Sequence, residues 1–191
     1  MQTEKDISID QLETALKREQ QKKMIIRVIR SSLYILSSVA AVVVLAAILL
    51  FPVLKIYGNS MTPTFYEGQI VIARRGSDFK TGDIVAFNYN NQVLIKRVIA
   101  KAGDWVDIRE DGTVVVNGIV LDEPYVSEKS FGINDLTYPY QIPDKAIFVL
   151  GDHRMTSIDS RSRDVGCILV DDVVGRIVLR IWPLNEMKLI N

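Results

Sequence analysis

The longest hydrophobic stretch of the chain runs from Ser31 to Leu54, where 24 consecutive residues carry no formal charge. At about 1.5 Å of rise per residue, a helix of this length crosses the ~30 Å hydrocarbon core of a bilayer. A buried core helix seldom runs so long, and the apolar core of a cleaved signal peptide is shorter, roughly 7 to 15 residues. The pattern therefore predicts one transmembrane helix over residues 31–54.

The charges on the two sides of this span are unequal. On the C-terminal side, Lys55 is the only charged residue close to the span. On the N-terminal side, the chain holds one nearby acidic residue, Glu19, and a basic cluster of Lys17, Arg18, Lys22, Lys23, Arg27 and Arg30. Because cytoplasmic flanks carry the excess of lysine and arginine, the N-terminus is expected in the cytoplasm. The sequence thus divides into a charged cytoplasmic segment over residues 1–30, the span, and an extracytoplasmic domain over residues 55–191.

Beyond the span, short runs rich in β-branched residues alternate with turn signals. GQIVIARR, GDIVAFNY, VLIKRVIAKA, TVVVNGIVL and KAIFVLGD are such runs, and Asn90-Asn91 and Asn117-Gly118 are such turns. No helix-length amphipathic segment separates them, which disfavours a parallel α/β arrangement. Residues 122–144 hold three prolines and predict an extended connection or surface loop. The expected fold is mainly β, a coiled antiparallel sheet or barrel-like body behind one N-terminal transmembrane helix.

Composition narrows the chemistry. The 23 basic and 23 acidic side chains balance, and no stripe of basic and aromatic residues favours a nucleic-acid partner. Cys167, the single cysteine, excludes an intrachain disulfide and is interpreted as a small buried hydrophobe. One histidine and one cysteine supply no cluster of metal ligands. We therefore expect neither a metal nor another cofactor.

Two side chains are candidate bases for activating a serine. His153 directly follows Asp152, and neighbours on an extended segment point to opposite sides, so that carboxylate is poorly placed to orient the ring. Lys96 interrupts the apolar run VLIKRVIA, and a lysine that burial keeps neutral can deprotonate a hydroxyl. Strand alternation puts Lys96 and Arg97 on opposite faces without deciding which cation is more protected. A lysine that reaches to the surface is the alternative.

Ser60 is the candidate nucleophile. It lies in YGNSMTPTF, where Gly58 and Asn59 permit a tight turn and Pro63 stiffens the chain that follows. An ordinary turn serine is the alternative. Because Ser60 is six residues past Leu54, even an extended link reaches only about 20 Å, so the hydroxyl must work at or near the bilayer surface.

Four stretches of the chain resemble the type I signal peptidases of bacteria. NSMTPT is similar to the family's S-M-x-P-T, GDIV follows at residues 82–85, IKRVIAKAGD is similar to its lysine motif, and GDHRMTSIDSR resembles G-D-N-R-x-x-S-x-D-S-R. Each stretch alone is weak, but four in this order behind an N-terminal anchor are specific. The resemblance runs from the span nearly to the end of the chain, and the compact size is that of small Gram-positive members.

This resemblance implies a membrane-bound serine endopeptidase that removes signal peptides from secretory preproteins, after small residues at the first and third positions before the cleaved bond. It implies Ser60 as nucleophile and oxyanion donor, through its backbone N–H, and Lys96 as general base. Ile56, Met61 and Ile95 are implied to contact the substrate. Ser157 is implied to hydrogen-bond the lysine, and four charged residues are implied to give structural support: Asp152, Arg154, Asp159 and Arg161.

The same resemblance implies a bacterial plasma membrane location, with lipid around the anchor, and we expect a monomer. Three positions depart from the family pattern. His153 replaces a common asparagine that carries no chemistry, and AKAGD replaces the frequent G-L-P-G-D. Gly58 replaces a serine that helps many Gram-negative members stabilise the oxyanion, so a second donor such as water must act with Ser60.

Two other interpretations compete with this one. A relative of the self-cleaving repressors would share the serine and lysine chemistry, but those proteins are cytosolic and the anchor disfavours them. A catalytically silent, membrane-tethered binding module on the same fold belongs to a different class. Intact Ser60, Lys96 and Ser157 argue against it.

Overall fold

A long N-terminal helix, α1, spans Ile9–Leu50 in the computed structural model, which describes residues 9–190. Its large apolar side chains are exposed, Leu36 to 67% for example. By length and composition the stretch Leu12–Leu50 could cross a membrane, with a mean hydropathy of 2.7. The first eight residues of the predicted cytoplasmic segment over 1–30 lie outside the described residues.

The helix ends at Leu50, before the predicted boundary at Leu54. Pro52 has no amide hydrogen to continue the helix, and it disfavours a helical conformation at the residue before it. The carbonyl of Pro52 instead accepts a hydrogen bond from Ala73 at 2.9 Å. The next residues, Val53–Lys55, form the first strand, so the predicted helical span over 31–54 is corrected at its end.

The described residues after the helix form two antiparallel sheets, which confirms the mainly β fold. The larger sheet has the order β1-β2-β11-β3-β4-β9-β10, with β12 beside β11, and the smaller has the order β7-β6-β5-β8. The strands are β1 Val53–Lys55, β2 Ile70–Arg74, β3 Ile84–Tyr89, β4 Gln92–Lys101, β5 Trp105–Ile108, β6 Val114–Val116, β7 Ile119–Val120, β8 Tyr140–Gln141, β9 Ala146–Leu150, β10 Ile168–Leu169, β11 Val173–Trp182 and β12 Lys188–Leu189. Short 3-10 helices at Val170–Asp172 and Leu184–Glu186 flank β11.

The central strands are buried on both faces, which explains their nearly continuous apolar sequences. In β9 every residue is buried. Phe148 and Leu150 belong to one apolar cluster, whereas Ile147 and Val149, at alternate positions, belong to another. A third cluster holds Ile84 and Ala86 of β3 together with residues that flank the candidate nucleophile: Ile56, Met61 and Phe65.

Strand β4 changes partners along its length. Residues from Gln92 to Arg97 pair with β3, whereas pairing with β9 begins only at Arg97 and shifts register between Val98 and Ala100. The first half of β4 therefore has one edge that pairs with no described strand. Strand β1 likewise pairs on one side only, with β2.

The connection from residue 122 to 144 is extended, as predicted, and its regular structure is limited to β8. Part of it is not a surface loop. Glu123 is only 8% exposed and Ile142 is buried in an apolar cluster. No pattern in the sequence indicated that Glu123 is buried, because the cation that pairs with it, Arg154, lies far along the chain.

Candidate active site

The loop between β1 and β2 presents Ser60. Apolar residues on both sides anchor it, since Ile56, Met61 and Phe65 are all buried. Ile56 closes the base of the loop by donating to Gln69 at 2.8 Å and accepting from Gly68 at 3.0 Å. The serine is thus held on a turn whose ends are fixed in the core.

Gly58 occupies the left-handed region, with φ at 73°, where a residue with a Cβ is strained. A Cβ at this position would meet nothing within 4 Å. The turn therefore requires glycine for its backbone rather than for space.

Lys96 is brought to Ser60 by β4, where it pairs with Val85 of β3. Its Nζ lies 2.6 Å from Ser60 Oγ, a hydrogen-bonding distance. Lys96 is only 3% exposed, and Arg97 on the opposite face of the strand is only 6% exposed, so both cations are buried. Burial lowers the pKa of Lys96 to about 8, against the opposing pull of Asp159 and Asp152.

Neutral lysine is therefore accessible near physiological pH. Its amine donates to the Ser60 hydroxyl oxygen at 2.6 Å, and it forms no ion pair with a described carboxylate. This arrangement is that of a general base beside a nucleophile.

The four predicted supporting residues lie in one loop after β9, and each is buried in an ion pair. Asp159 accepts from Arg161 Nε at 2.8 Å and also from the Gly151 amide at 3.0 Å. Asp152 is paired with Arg97 at 2.6 Å, and Arg154 with Glu123. Because an unpaired buried charge is costly, each of these pairs compensates a charge that the loop buries.

The predicted hydrogen bond between Ser157 and Lys96 is not formed in this structure. Ser157 Oγ is buried and has no hydrogen-bond partner among the described residues. The hydroxyl instead packs against the Cα of Gly151, where an added Cβ would overlap it and lie 2.5 Å from the Ser60 carbonyl oxygen. Ser157 is therefore beside the candidate nucleophile, with its polar capacity unused.

The His153 ring forms no hydrogen bond with Ser60 in the described structure. Its Nδ1 lies 2.7 Å from Thr156 Oγ1, and the Asp152 carboxylate is engaged by Arg97 and Thr64. The backbone of His153 does contribute, because its N–H donates to the Ser60 carbonyl at 3.1 Å. Cys167 is half-buried in an apolar cluster, and burial raises its pKa to about 11, in agreement with the prediction of a small hydrophobe.

An apolar groove of about 600 Å³ opens at the serine and lysine pair. Residues 53–58 with 60 and 61 line one side, and residues 92–96 line the other. All three residues predicted to contact substrate lie in this lining: Ile56, Met61 and Ile95. The groove thus runs between the free edges of β1 and β4.

Sequence reasoning missed four residues that hold the site together: Thr64, Gly151, Glu123 and Tyr125. Thr64 donates to Asp152, and its place in the NSMTPT motif was the available signal. Gly151 is marked by the GDHR motif. The ring centroid of Tyr125 lies 3.8 Å from the guanidinium carbon of Arg97. No local sequence pattern predicts this contact.

Comparison with known proteins places these residues in a family. The model of the family described as signal peptidase, peptidase S26, matches residues 27–182. Signal peptidase I of Bacillus amyloliquefaciens is 31% identical over 160 residues, which cover 76% of this chain and 85% of the relative. Signal peptidase IB of Staphylococcus aureus is 35% identical over 153 residues, covering 70% and 78%.

A plant relative and a solved structure are also similar. The chloroplastic thylakoidal processing peptidase 1 of Arabidopsis thaliana is 36% identical over 152 residues, which cover 70% of this chain but only 43% of the relative. The crystal structure of a signal peptidase I from Enterococcus faecalis V583 is 30% identical with a TM-score of 0.44, covering 52% of this chain and 96% of that one.

Replacement of Gly151 by alanine tests the contact between the loop after β9 and the Ser60 turn. Because the added methyl overlaps Ser157 and the Ser60 carbonyl, we expect a displaced serine and roughly 10²-fold lower peptidase turnover. Gly103→Ala is the control, since its Cβ meets nothing within 4 Å although φ is 86°. Retained turnover in Gly151→Ala, or an equal loss in Gly103→Ala, would contradict the steric argument.

Proposed function

The chain belongs to the signal peptidase family, peptidase S26, and from that membership we propose that it removes signal peptides from secretory preproteins with Ser60 as nucleophile and Lys96 as general base. The chain is a peptidase, and its relatives are signal peptidases. The assignment of individual residues rests on one observation. A buried lysine with a lowered pKa has its amine 2.6 Å from a serine hydroxyl, at the end of an apolar groove.

The proposed chemistry begins with neutral Lys96. Its Nζ takes the proton of the Ser60 hydroxyl as Oγ attacks the carbonyl carbon of the scissile peptide bond. The resulting ammonium returns that proton to the leaving amine, and the acyl-enzyme remains on Oγ. Water, deprotonated by the same amine, then attacks the ester carbonyl, and the ammonium returns that proton to Ser60 Oγ as the signal peptide is released.

Oxyanion stabilisation falls to the backbone in this proposal. The N–H of Ser60 makes no hydrogen bond to a described protein acceptor. It is therefore available to a tetrahedral oxyanion, with water as the second donor because Gly58 supplies no hydroxyl.

The groove supports a proposed mode of preprotein binding. Unpaired edges of β1 and β4 offer backbone donors and acceptors to an extended peptide inserted between them. Alternate side chains of that peptide then face the apolar walls at Ile56 and Ile95. Shallow pockets of this kind fit small side chains at the first and third positions before the cleaved bond.

The alternative is a catalytically silent, membrane-tethered binding module that uses the same groove. A binding surface gains nothing from a buried lysine without a carboxylate partner, because the desolvated amine costs stability. Cleavage of a preprotein by the purified chain, with sequencing of the new N-terminus, separates the two functions.

The pH dependence of cleavage tests the base. Because only neutral Lys96 accepts a proton, cleavage should rise with pH through about 8, the pKa set by burial. Lys96→Ala has no base and Lys96→Arg stays protonated, so both should lose roughly 10²-fold to 10⁴-fold in turnover. His153→Asn keeps the backbone contact to Ser60. It should change neither the rate nor the rising limb of the pH–rate profile, which is the pH range in which cleavage increases. An active Lys96→Arg enzyme, or a folded but inactive His153→Asn enzyme, would refute the lysine mechanism.

Substitutions at Gly58 test the oxyanion assignment. The sequence predicts that Gly58→Ser is tolerated or improves turnover, by at most ~10²-fold to 10³-fold for one donor. The structure adds a backbone cost, since φ is 73°. Gly58→Ala carries the same strain without the hydroxyl, so the ratio of turnover between the two variants isolates the donor. We expect Gly58→Ser to be faster than Gly58→Ala. Equal rates would show that a hydroxyl at this position does not stabilise the oxyanion.

Orientation in the membrane is tested by reporters. Because cytoplasmic flanks carry the excess of lysine and arginine, we propose a cytoplasmic N-terminus, and alkaline phosphatase fused after Asn191 should be active outside the cytoplasm. The same reporter fused after Arg30, ahead of the span, should be inactive. Activity in the reverse pattern would overturn the proposed topology.

A further inference from the structure

The connection that leaves β7 contacts two buried arginines beside the proposed catalytic pair. The Arg97 guanidinium carbon lies 3.8 Å from the centroid of the Tyr125 ring, well within the range of a cation–π interaction. The Tyr125 hydroxyl donates to Glu123 Oε1 at 3.1 Å. Glu123 in turn accepts two hydrogen bonds from Arg154. A short segment of the second sheet's connection therefore braces the loop that follows β9.

Arg97 is fully engaged around the edge of its guanidinium plane. Nε and Nη2 donate to Asp152 at 2.9 and 2.6 Å, and Nη1 donates to the Gly82 carbonyl at 2.8 Å. Tyr125 covers the group through its aromatic ring, which attracts the cation and keeps water away. The ring thus holds the ion pair between Arg97 and Asp152 in a dry environment.

Asp152 connects this ion pair to Ser60. Its carboxylate accepts the Thr64 hydroxyl, which belongs to the loop that presents the nucleophile. The next residue, His153, donates its backbone N–H to the Ser60 carbonyl at 3.1 Å. Movement of Asp152 would therefore shift the serine from two sides.

We infer that Tyr125 is a positioning residue for the proteolytic site: its ring locks Arg97 onto Asp152 and so fixes both the Ser60 turn and the charge that Asp152 presents to Lys96. This inference rests on the proposed function of Ser60 and Lys96. It assigns a task to the EPY segment at residues 123–125, which forms no hydrogen bond or ion pair with Ser60 or Lys96 in the described part of the chain.

The charges that face Lys96 come from the loop after β9. Asp159 and Asp152 raise its pKa, and Arg161 lowers it, while burial has the largest effect and lowers it. Arg97 neutralises Asp152 only as long as their bidentate contact is kept. When the ring is removed and the contact loosens, Asp152 attracts the ammonium form of Lys96 more strongly, and the pKa of the lysine rises.

The test compares Tyr125→Leu, Tyr125→Phe and Tyr89→Leu in the full-length chain, purified in detergent, by preprotein cleavage across a pH series. Tyr125→Leu should move the rising limb about one pH unit higher, which lowers turnover at neutral pH roughly tenfold with KM little changed. Tyr125→Phe keeps the ring and should keep the limb. Tyr89, also half-buried, donates to the distant Asp164 carbonyl, so Tyr89→Leu controls for the loss of a tyrosine.

The inference would be overturned if the rising limb of cleavage stayed at the same pH in folded Tyr125→Leu. It would also be overturned if Tyr89→Leu moved that limb by the same amount. If the leucine variant fails to fold, Tyr125→Met, with an unbranched chain that fills the space without a π face, is held to the same expectation. A shifted limb in Tyr125→Phe would assign the effect to the hydroxyl and its Glu123 contact, and would also overturn the role of the ring.

A second measurement does not depend on cleavage. The rate at which an amine-reactive reagent modifies Lys96, followed by mass spectrometry of the peptide that contains it, reports the ionisation of that amine directly. The limb of this reaction should also lie higher in Tyr125→Leu than in the unaltered chain. If the unaltered chain cleaves no preprotein, the proposed function fails, while this titration still confirms or overturns the coupling of Tyr125 to Lys96.

Discussion

The burial of one amine without a counterion is the constraint on which the rest of the site depends. Lys96 is 3% exposed and 2.6 Å from Ser60 Oγ, and no described carboxylate pairs with it. Placing a carboxylate against it would stabilise the ammonium form and raise its pKa, which would remove the base. The fold therefore has to exclude water from the amine and also keep other buried charges from reaching it.

The surrounding ion pairs meet that requirement. Three carboxylates close to the site each have a dedicated arginine: Asp152 with Arg97, Asp159 with Arg161, and Glu123 with Arg154. Arg161 also donates to several backbone carbonyls, so its remaining polar capacity is used. Such buried pairs contribute little net stability, because the cost of removing both charges from water offsets most of their attraction. In this site the three pairs balance each buried carboxylate with one guanidinium around Lys96, the proposed base.

The polypeptide brings this site together from segments that are distant in sequence. Ser60 lies on a turn between β1 and β2, Lys96 within β4, and the bracing loop follows β9. Strand β4 serves two purposes, because its second half pairs with β9 in the core while its first half pairs only with β3 and leaves an edge open to the groove. The same strand thus fixes the base and contributes to the proposed substrate site.

Local signals in the sequence were sufficient for much of this protein. Uninterrupted hydrophobicity predicted the long helix and β-branched runs predicted the strands, because such patterns reflect local burial and backbone requirements. Ser60, Lys96 and the loop after β9 were singled out by the resemblance of four ordered motifs to a known family. The end of the helix at Leu50, the burial of both Lys96 and Arg97, the unpartnered Ser157 hydroxyl and the stacking of Tyr125 on Arg97 were decided by tertiary structure. Each of these features depends on which distant segment of the chain covers the residue. Alternation along a strand determines the face on which a side chain lies, but it does not determine what packs against that face.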